Sequence, residues 1–304
     1  MKIEKKTIKV INSVSELHRL MSLPKPLHPL ITLINHNDIT TISEAKNESL
    51  ILNFYNISIK KSFQGQMKYG KNYYDFDEGT MSFVSPNQVI AVDQDENRNK
   101  DGWSLMFHPD LIRNYALGKT IKKYGFFSYE ANEALHLSEK EENKIENLIR
   151  NIEQEYQANT DVYSQDVIVS NLELLLNYCN RFYNRQFVTR KMVNTDLLTR
   201  FEIILASYFD EKTEMGLPTV NGLARELNLS AGYLSDMLRT VTGQNTQQHI
   251  HNKLVESAKN ILTTTNLTVS EIAYQLGFEY PQSFNKLFKS KTKLSPLEYR
   301  KSFH

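Results

Sequence analysis

The chain has 304 residues, 40% of them apolar and 23% charged, with a formal net charge of +1; this is the balance of a globular protein rather than a disordered one, a fibre or a low-complexity scaffold. That length lets two domains each bury a core of their own. No stretch approaches the roughly 18 uninterrupted apolar residues of a membrane span, and MKIEKKTIKV at the start is charged where a secretion signal is apolar, so a cytoplasmic protein without a membrane partner is expected.

Residues 1 to about 108 alternate short β-rich runs with turns: HPLITLINH, SLILNFYNISIKKS, QMKYGKNYYDF, EGTMSFVSPNQVIAVD and GWSLMFHP. Strands at this spacing predict a small barrel or sandwich. The histidines of the first half of the chain, His18, His28, His36, His108 and His136, are scattered and contain no His-x-His pair, so no metal site is expected. DQDENRNKDGW, from 93, places Asp93, Asp95 and Asn97 like a calcium loop. Arg98 stands where that loop needs glycine and Ser104 where it needs a bidentate glutamate, so the run reads as a polar connection. The aromatics Tyr55, Phe63, Tyr69, Tyr73, Tyr74, Phe76 and Phe83 are either core or the lining of an apolar pocket, with core the favoured reading.

From Asp110 the pattern turns helical. Ser138 followed by Glu141 forms a capping box for a helix that aligns Ile145, Leu148, Ile149 and Ile152 on one face. A second helix, roughly 162 to 184, carries Val167, Leu172, Leu175, Leu176, Cys179 and Phe182. Its apolar stripe can cover the sheet or meet its copy in a homodimer, and both uses stay open. Cys179, the one cysteine, has no disulfide partner and sits on this stripe as a packing residue. RQFVTRKMVNT, 185 to 195, is polar and without period, and is expected to link a domain at 1–188 to a domain at 189–304.

Beyond it every signal is helical, and one unit occurs twice. In TVNGLARELNLSAGYLSDMLRTVTG, from 219, and TVSEIAYQLGFEYPQSFNKLFKSKTK, from 268, Val220 matches Val269, Leu223 matches Ile272, Ala224 matches Ala273 and Leu227 matches Leu276. After one extra residue in the turn, Leu234 matches Phe284 and Leu238 matches Phe288. A short helix, a turn at Asn228 or Gly277, and a second helix with a polar outer face make a helix-turn-helix unit. Its second helix fits the major groove, where base edges are distinguishable. The expected DNA-facing residues are Ser230, Gly232, Ser235, Asp236 and Arg239 in the first copy, and Pro281, Gln282, Asn285, Lys286 and Lys289 in the second. Between the copies, a helix with Ile250, Leu254, Ala258 and Ile261 in register acts as a rod. His249 and His251 lie on different sides of it and do not make a metal pair.

The residues from 189 onward resemble the DNA-binding domain of AraC/XylS transcriptional regulators. The likeness is carried by IAYQLGFEYPQSFNKLFKSKTKLSPLEYR: Gly277-Phe278 ending a helix, Gln282-Ser283-Phe284 opening the next, the Phe288-Lys289 pair, and Pro296 with Tyr299-Arg300 at the close. The resemblance implies a sequence-specific regulator bound to double-stranded DNA, with RNA polymerase as a candidate partner. It also implies an amino-terminal cupin-like domain for dimerisation or for sensing an effector of unknown identity. The expected class is therefore α+β: a cupin-like barrel with helices, then an all-α domain with two helix-turn-helix units. No enzymatic activity and no cofactor are expected. Two other readings remain, a cupin-type metal enzyme fused to a DNA-binding domain and an amino-terminal domain that only binds protein. Two positions depart from the family pattern. Lys293 replaces the usual glycine before the Ser-Pro step, which predicts strain or a shifted cap. Asp236 sits among base readers, so the first unit either reads cytosine or adds little affinity.

Overall fold

The computed structural model describes residues 8–39, 49–61, 67–69, 72–74, 79–91, 101–130, 133–158, 161–189, 191–209 and 216–303. Phe63, Phe76, Asp93, Asp95, Asn97 and Arg98, and the side chains of Tyr69, Tyr73 and Tyr74, lie outside what is described. The architecture mixes sheet and helix, and the chain divides between Gln186 and Phe187 into two compact units. Among the described residues no helix is long and apolar enough to cross a membrane.

The first unit contains, in chain order, β1 (Ile8–Ile11), α1 (Val14–Leu20), β2 (Ile31–Asn35), β3 (Ser49–Leu52), β4 (Tyr55–Lys60), β5 (Met67–Tyr69), β6 (Asn72–Tyr74), β7 (Thr80–Val84), β8 (Val89–Ala91), β9 (Gly102–Phe107), α2 (Ala116–Thr120), β10 (Leu135–His136), α3 (Glu139–Gln157) and most of α4 (Ser164–Thr189), whose residues from Phe187 on belong to the second unit. Five strands form an antiparallel sheet in the order β10-β7-β4-β9-β2. A second sheet, β1-β3-β8, pairs β1 with β3 in parallel, and β5 and β6 form a hairpin. SLILNFYNISIKKS, one run in sequence, is split at Asn53 and Phe54 into β3 and β4, which belong to different sheets.

Side chains alternate across β4 as strand geometry requires. Tyr55, Ile57 and Ile59 face the long helices, where the Leu33 N–H donates to the Tyr156 hydroxyl of α3 at 3.3 Å and Phe83 meets Tyr183 of α4 at 6.0 Å. Asn56 and Ser58 face the other way. In register with them are Ser82 of β7, Ser104 of β9, and Thr32 beyond Met106. Part of this second face is closed by an apolar cluster in which Ile34 and Met106 pack with Ile11, Val14, Leu17, Leu50, Leu52 and Phe54. Beside it the face is polar: the Ser104 hydroxyl bonds His36 Nε2 at 2.8 Å and the Thr32 hydroxyl bonds His18 Nε2 at 2.8 Å. Asn56, only 9% exposed, keeps a side-chain oxygen with no hydrogen-bond partner.

The capping box opens α3, with the Ser138 N–H donating to Glu141 at 2.9 Å, and Ile145, Leu148, Ile149 and Ile152 are buried. On α4 the stripe Leu172, Leu175, Leu176, Cys179 and Phe182 is covered within the chain, and burial pushes the Cys179 thiol well above its usual range. These residues are therefore not a free dimer face. Val167, expected on the same stripe, is exposed instead, as is Leu174. The linker expected at 185–195 is helical on both sides of residue 190: α4 continues to Thr189 and α5 (Lys191–Ser207) follows. Its polarity has an internal cause. Arg185 bonds Glu141, and Gln186 accepts the His136 N–H at 2.8 Å while donating to the Ala134 carbonyl at 3.1 Å.

The second unit continues with α6 (Val220–Glu226), α7 (Ala231–Thr242), α8 (Thr246–Thr264), α9 (Val269–Gln275), α10 (Pro281–Thr292) and α11 (Pro296–Lys301). The rod is α8. It packs against α7 on one side of the duplication and against α9, α10 and α11 on the other.

Candidate nucleic-acid interface

Each helix-turn-helix pair is built from the same inward residues. Leu223, Ala224, Leu227, Leu234 and Leu238 are buried in α6–α7, and Ile272, Ala273, Leu276, Phe284 and Phe288 are buried at the matching places in α9–α10. The first helices are capped alike: Thr219 accepts the Gly222 N–H at 3.0 Å, and Thr268 accepts the Glu271 N–H at 3.2 Å. Both turns need a left-handed residue, supplied by Asn228 (φ 57°) and Gly277 (φ 87°).

The correspondence runs further than the side-chain pattern showed. The second helices end on Gly243 (φ 78°) and Lys293 (φ 68°), whose N–H groups donate to Arg239 and Lys289 carbonyls, each at 2.9 Å. Just before them Thr242 and Thr292 bond the Leu238 and Phe288 carbonyls at 2.8 and 2.9 Å. Just after, the capping boxes Asn245–Gln248 and Ser295–Glu298 start the next helix. A lysine therefore occupies a left-handed position that its counterpart gives to glycine, so the strain expected at this turn is located at one residue. An L residue there costs about 1 kcal/mol or more. Lys293→Gly should raise the chain's stability by about 1 kcal/mol, read as a higher urea midpoint with an unchanged slope; an unchanged or lower midpoint would show that the lysine side chain offsets its own strain.

The outer faces differ. On α10, Gln282, Asn285, Lys286 and Lys289 are exposed, Pro281 is half-buried at the first turn, and the helix begins without a side-chain cap. The side chains of Gln282, Asn285 and Lys286 make no hydrogen bond or ion pair among the described residues. On α7, Ser230 is buried and its hydroxyl accepts the Tyr233 N–H at 3.1 Å, a capping role. The Ser235 hydroxyl reaches Thr246 of α8 at 3.0 Å, and Gly232 has no side chain to extend. Asp236 and Arg239 form an ion pair, Nη1 donating to Oδ1 at 2.8 Å.

His249 stands edge-on to Phe201 at 5.5 Å and bonds Thr242 through Nε2 at 2.8 Å, while His251 bonds Gln247 at 2.8 Å. Burial holds both imidazoles below their ordinary pKa. Among the described residues no group of three or more histidine, cysteine or acidic side chains is placed to hold a metal.

A family profile described as a helix-turn-helix domain matches residues 223–302, from within α6 to just past α11. Regulatory protein SoxS of Salmonella typhimurium is 30% identical over 96 residues, covering 32% of this chain and 89% of SoxS. The chain belongs to the AraC-type helix-turn-helix family. The AraC-type portion also matches the raffinose operon transcriptional regulatory protein RafR of Pediococcus pentosaceus, 31% identical over 138 residues, 45% of this chain and 48% of that protein. The chain spans less than half the length of the first curated relatives it matches. Among solved structures, the C-terminal domain of the response regulator yesN from Fusobacterium nucleatum is 35% identical with a TM-score of 0.31, covering 34% of this chain and 98% of that one.

Within the AraC-type domain, Arg300 has a place that spacing alone did not reveal. Its Nε donates to the Leu262 carbonyl at 3.0 Å and its Nη2 to the Leu267 carbonyl at 2.6 Å, fastening α11 to the end of the rod. The signal was an arginine on an otherwise inward turn beside Tyr299, which packs edge-on to Phe288 at 5.5 Å. Charge in the domain is one-sided. α10 carries Lys286, Lys289 and Lys291 without an acid, whereas the single acid and single base of α7 neutralise each other.

Proposed function

We propose that the protein is a sequence-specific DNA-binding transcriptional regulator whose α7 and α10 enter successive major grooves from one side of the duplex. The observation that carries this reading is the outer face of α10, where four polar or basic side chains stand exposed while Phe284 and Phe288 of the same helix are buried. α8 supplies the spacing: its 19 residues span about 28 Å at 1.5 Å per residue, close to the roughly 34 Å repeat of B-DNA. Gln282 and Asn285 suit adenine edges, Lys286 suits guanine, and Lys289 suits phosphate. Gly232, Asp236 and Arg239 face the other groove, with Ser230 and Ser235 holding α7 in place.

Selection of duplexes from a random pool tests this reading. Gln282→Ala with Asn285→Ala should flatten base preference at two or more positions. Lys289→Ala should weaken binding to every sequence and reduce the salt slope by about one unit. A chain that enriches no sequence at moderate salt is not a sequence reader.

Residues 1–188 are the regulatory part of this proposal, a cupin-like barrel with helices joined to the DNA-binding residues 189–304 in a cytoplasmic homodimer that needs no cofactor and catalyses no reaction. The exposed Val167 and Leu174 make the outer side of α4 the face for the second copy. A small polar effector is favoured over a purely protein-binding domain by the orphaned oxygen of Asn56, which stands between Val84 and Met106 and one row from the hydroxyls of Ser82, Ser58 and Ser104 on the same face. Buried acceptors ordinarily have partners, and a ligand hydroxyl or amide would supply one. Such a ligand should raise the melting temperature of the wild-type chain and leave Asn56→Leu unmoved; equal shifts in both would place binding elsewhere.

A further inference from the structure

We infer that Asp236 is a positioning residue for Arg239, fixing its guanidinium so that α7 distinguishes guanine at one base pair. The inference rests on the DNA-binding reading above and gives the first helix-turn-helix unit its part in it. Asp236 and Arg239 are three residues apart on α7, one turn along the same face, and Arg239 Nη1 donates to Asp236 Oδ1 at 2.8 Å. Of the two side chains the aspartate is the more sheltered, 29% exposed against 56%, so the acid lies close to the helix while the guanidinium projects.

The rest of α7 leaves Arg239 as its long reader. Ser230 caps the helix, Ser235 is tied to Thr246, and Gly232 ends at its backbone. The pair is also electrically neutral, so α7 gains little from phosphates, whose attraction scales with net positive charge. What such a helix can contribute is discrimination. A guanidinium carries five N–H donors in a rigid fork, and engaging one of them with a carboxylate leaves enough for the O6 and N7 acceptors of guanine. A free arginine samples many rotamers and meets phosphate as readily as base; a tethered one presents the fork in one direction. Asp236 therefore acts through Arg239, and neither opposes binding as a bare charge nor itself accepts from cytosine.

The test is duplex selection and competition binding with the full chain and its Arg239→Ala, Asp236→Ala and Asp236→Asn variants. Arg239→Ala should abolish a guanine preference at one base pair in the half-site distal to that read by α10. Asp236→Ala should reduce the same preference about tenfold without changing the salt slope. Asp236→Asn, which keeps an acceptor oxygen, should recover part of it. The inference is overturned if Asp236→Ala binds all duplexes more tightly with base preference intact, since the aspartate would then be only an opposing charge. It also fails if Asp236→Ala and Arg239→Ala affect different base pairs. A wild-type chain that selects no sequence overturns the DNA-binding reading itself, a result distinct from either.

Discussion

Gly277→Ala is expected to cost the second helix-turn-helix unit about 3 kcal/mol, the sum of a left-handed backbone and a collision. At φ 87° the position is one an L residue adopts only under strain. A Cβ built there would stand 2.7 Å from the Leu217 backbone nitrogen and 3.0 Å from the Gly216 carbonyl carbon. Both obstacles are main chain, so neither can swing aside as a side chain would. Asn228 occupies the equivalent turn at φ 57° and is exposed. Asn228→Ala should therefore cost only about 1 kcal/mol, the conformational part alone. Urea unfolding of the full chain followed by helical circular dichroism separates the two, and equal losses would mean that the approach of residues 216 and 217 to the turn is not a constraint.

Phe284→Ala should be at least as damaging, about 3–5 kcal/mol, because it removes a fully buried ring from the core of the unit. The ring lies 5.5 Å from Phe278 and 5.8 Å from Phe288, and Phe288 in turn meets Tyr299 at 5.5 Å. Removing it takes away the contact that seats α10 on α8 and α9, so DNA binding should fall together with the melting temperature. Phe284→Leu should cost under about 1.5 kcal/mol, since the first copy holds Leu234 at the matching position and buries it completely. A Phe284→Ala chain that melts normally yet fails to bind DNA would contradict this, because it would give the ring a direct role at the interface.

The duplication was legible because its cause is local. Inward apolar residues recur at helical intervals, and a turn that demands a left-handed residue announces itself through Asn228 and Gly277. Lys293 was conspicuous only against the family pattern, which has glycine there, and the structure gives it a left-handed backbone, φ 68°. Ser230 and Ser235 were ambiguous because a hydroxyl on a polar helix face suits base edges, helix caps and neighbouring helices alike; their bonds to the Tyr233 N–H and to Thr246 depend on positions that no periodicity gives. The segment 185–195 looked like a solvated connection because the partners of Arg185 and Gln186 lie about fifty residues earlier. No periodicity can show that. β1 and α1 were missed although Ser13 and Glu16 have helix-start spacing, and the parallel pairing of β1 with β3 joins segments some forty residues apart. The alternation in YNISIK is visible by eye, but the significance of Asn56 depends on the apolar cluster that closes part of its face.

The unpartnered tips of Gln282, Asn285 and Lys286 have a consequence for how such a chain changes over generations. Folding makes no demand on these three tips, since the Phe284 and Phe288 rings, the turn at Gly277 and the caps around it sit elsewhere on the same unit. If α10 reads DNA as proposed, substitutions there would change the preferred sequence without a penalty in folding, whereas α7, with its hydroxyls already engaged by cap and rod, offers far fewer places for such drift.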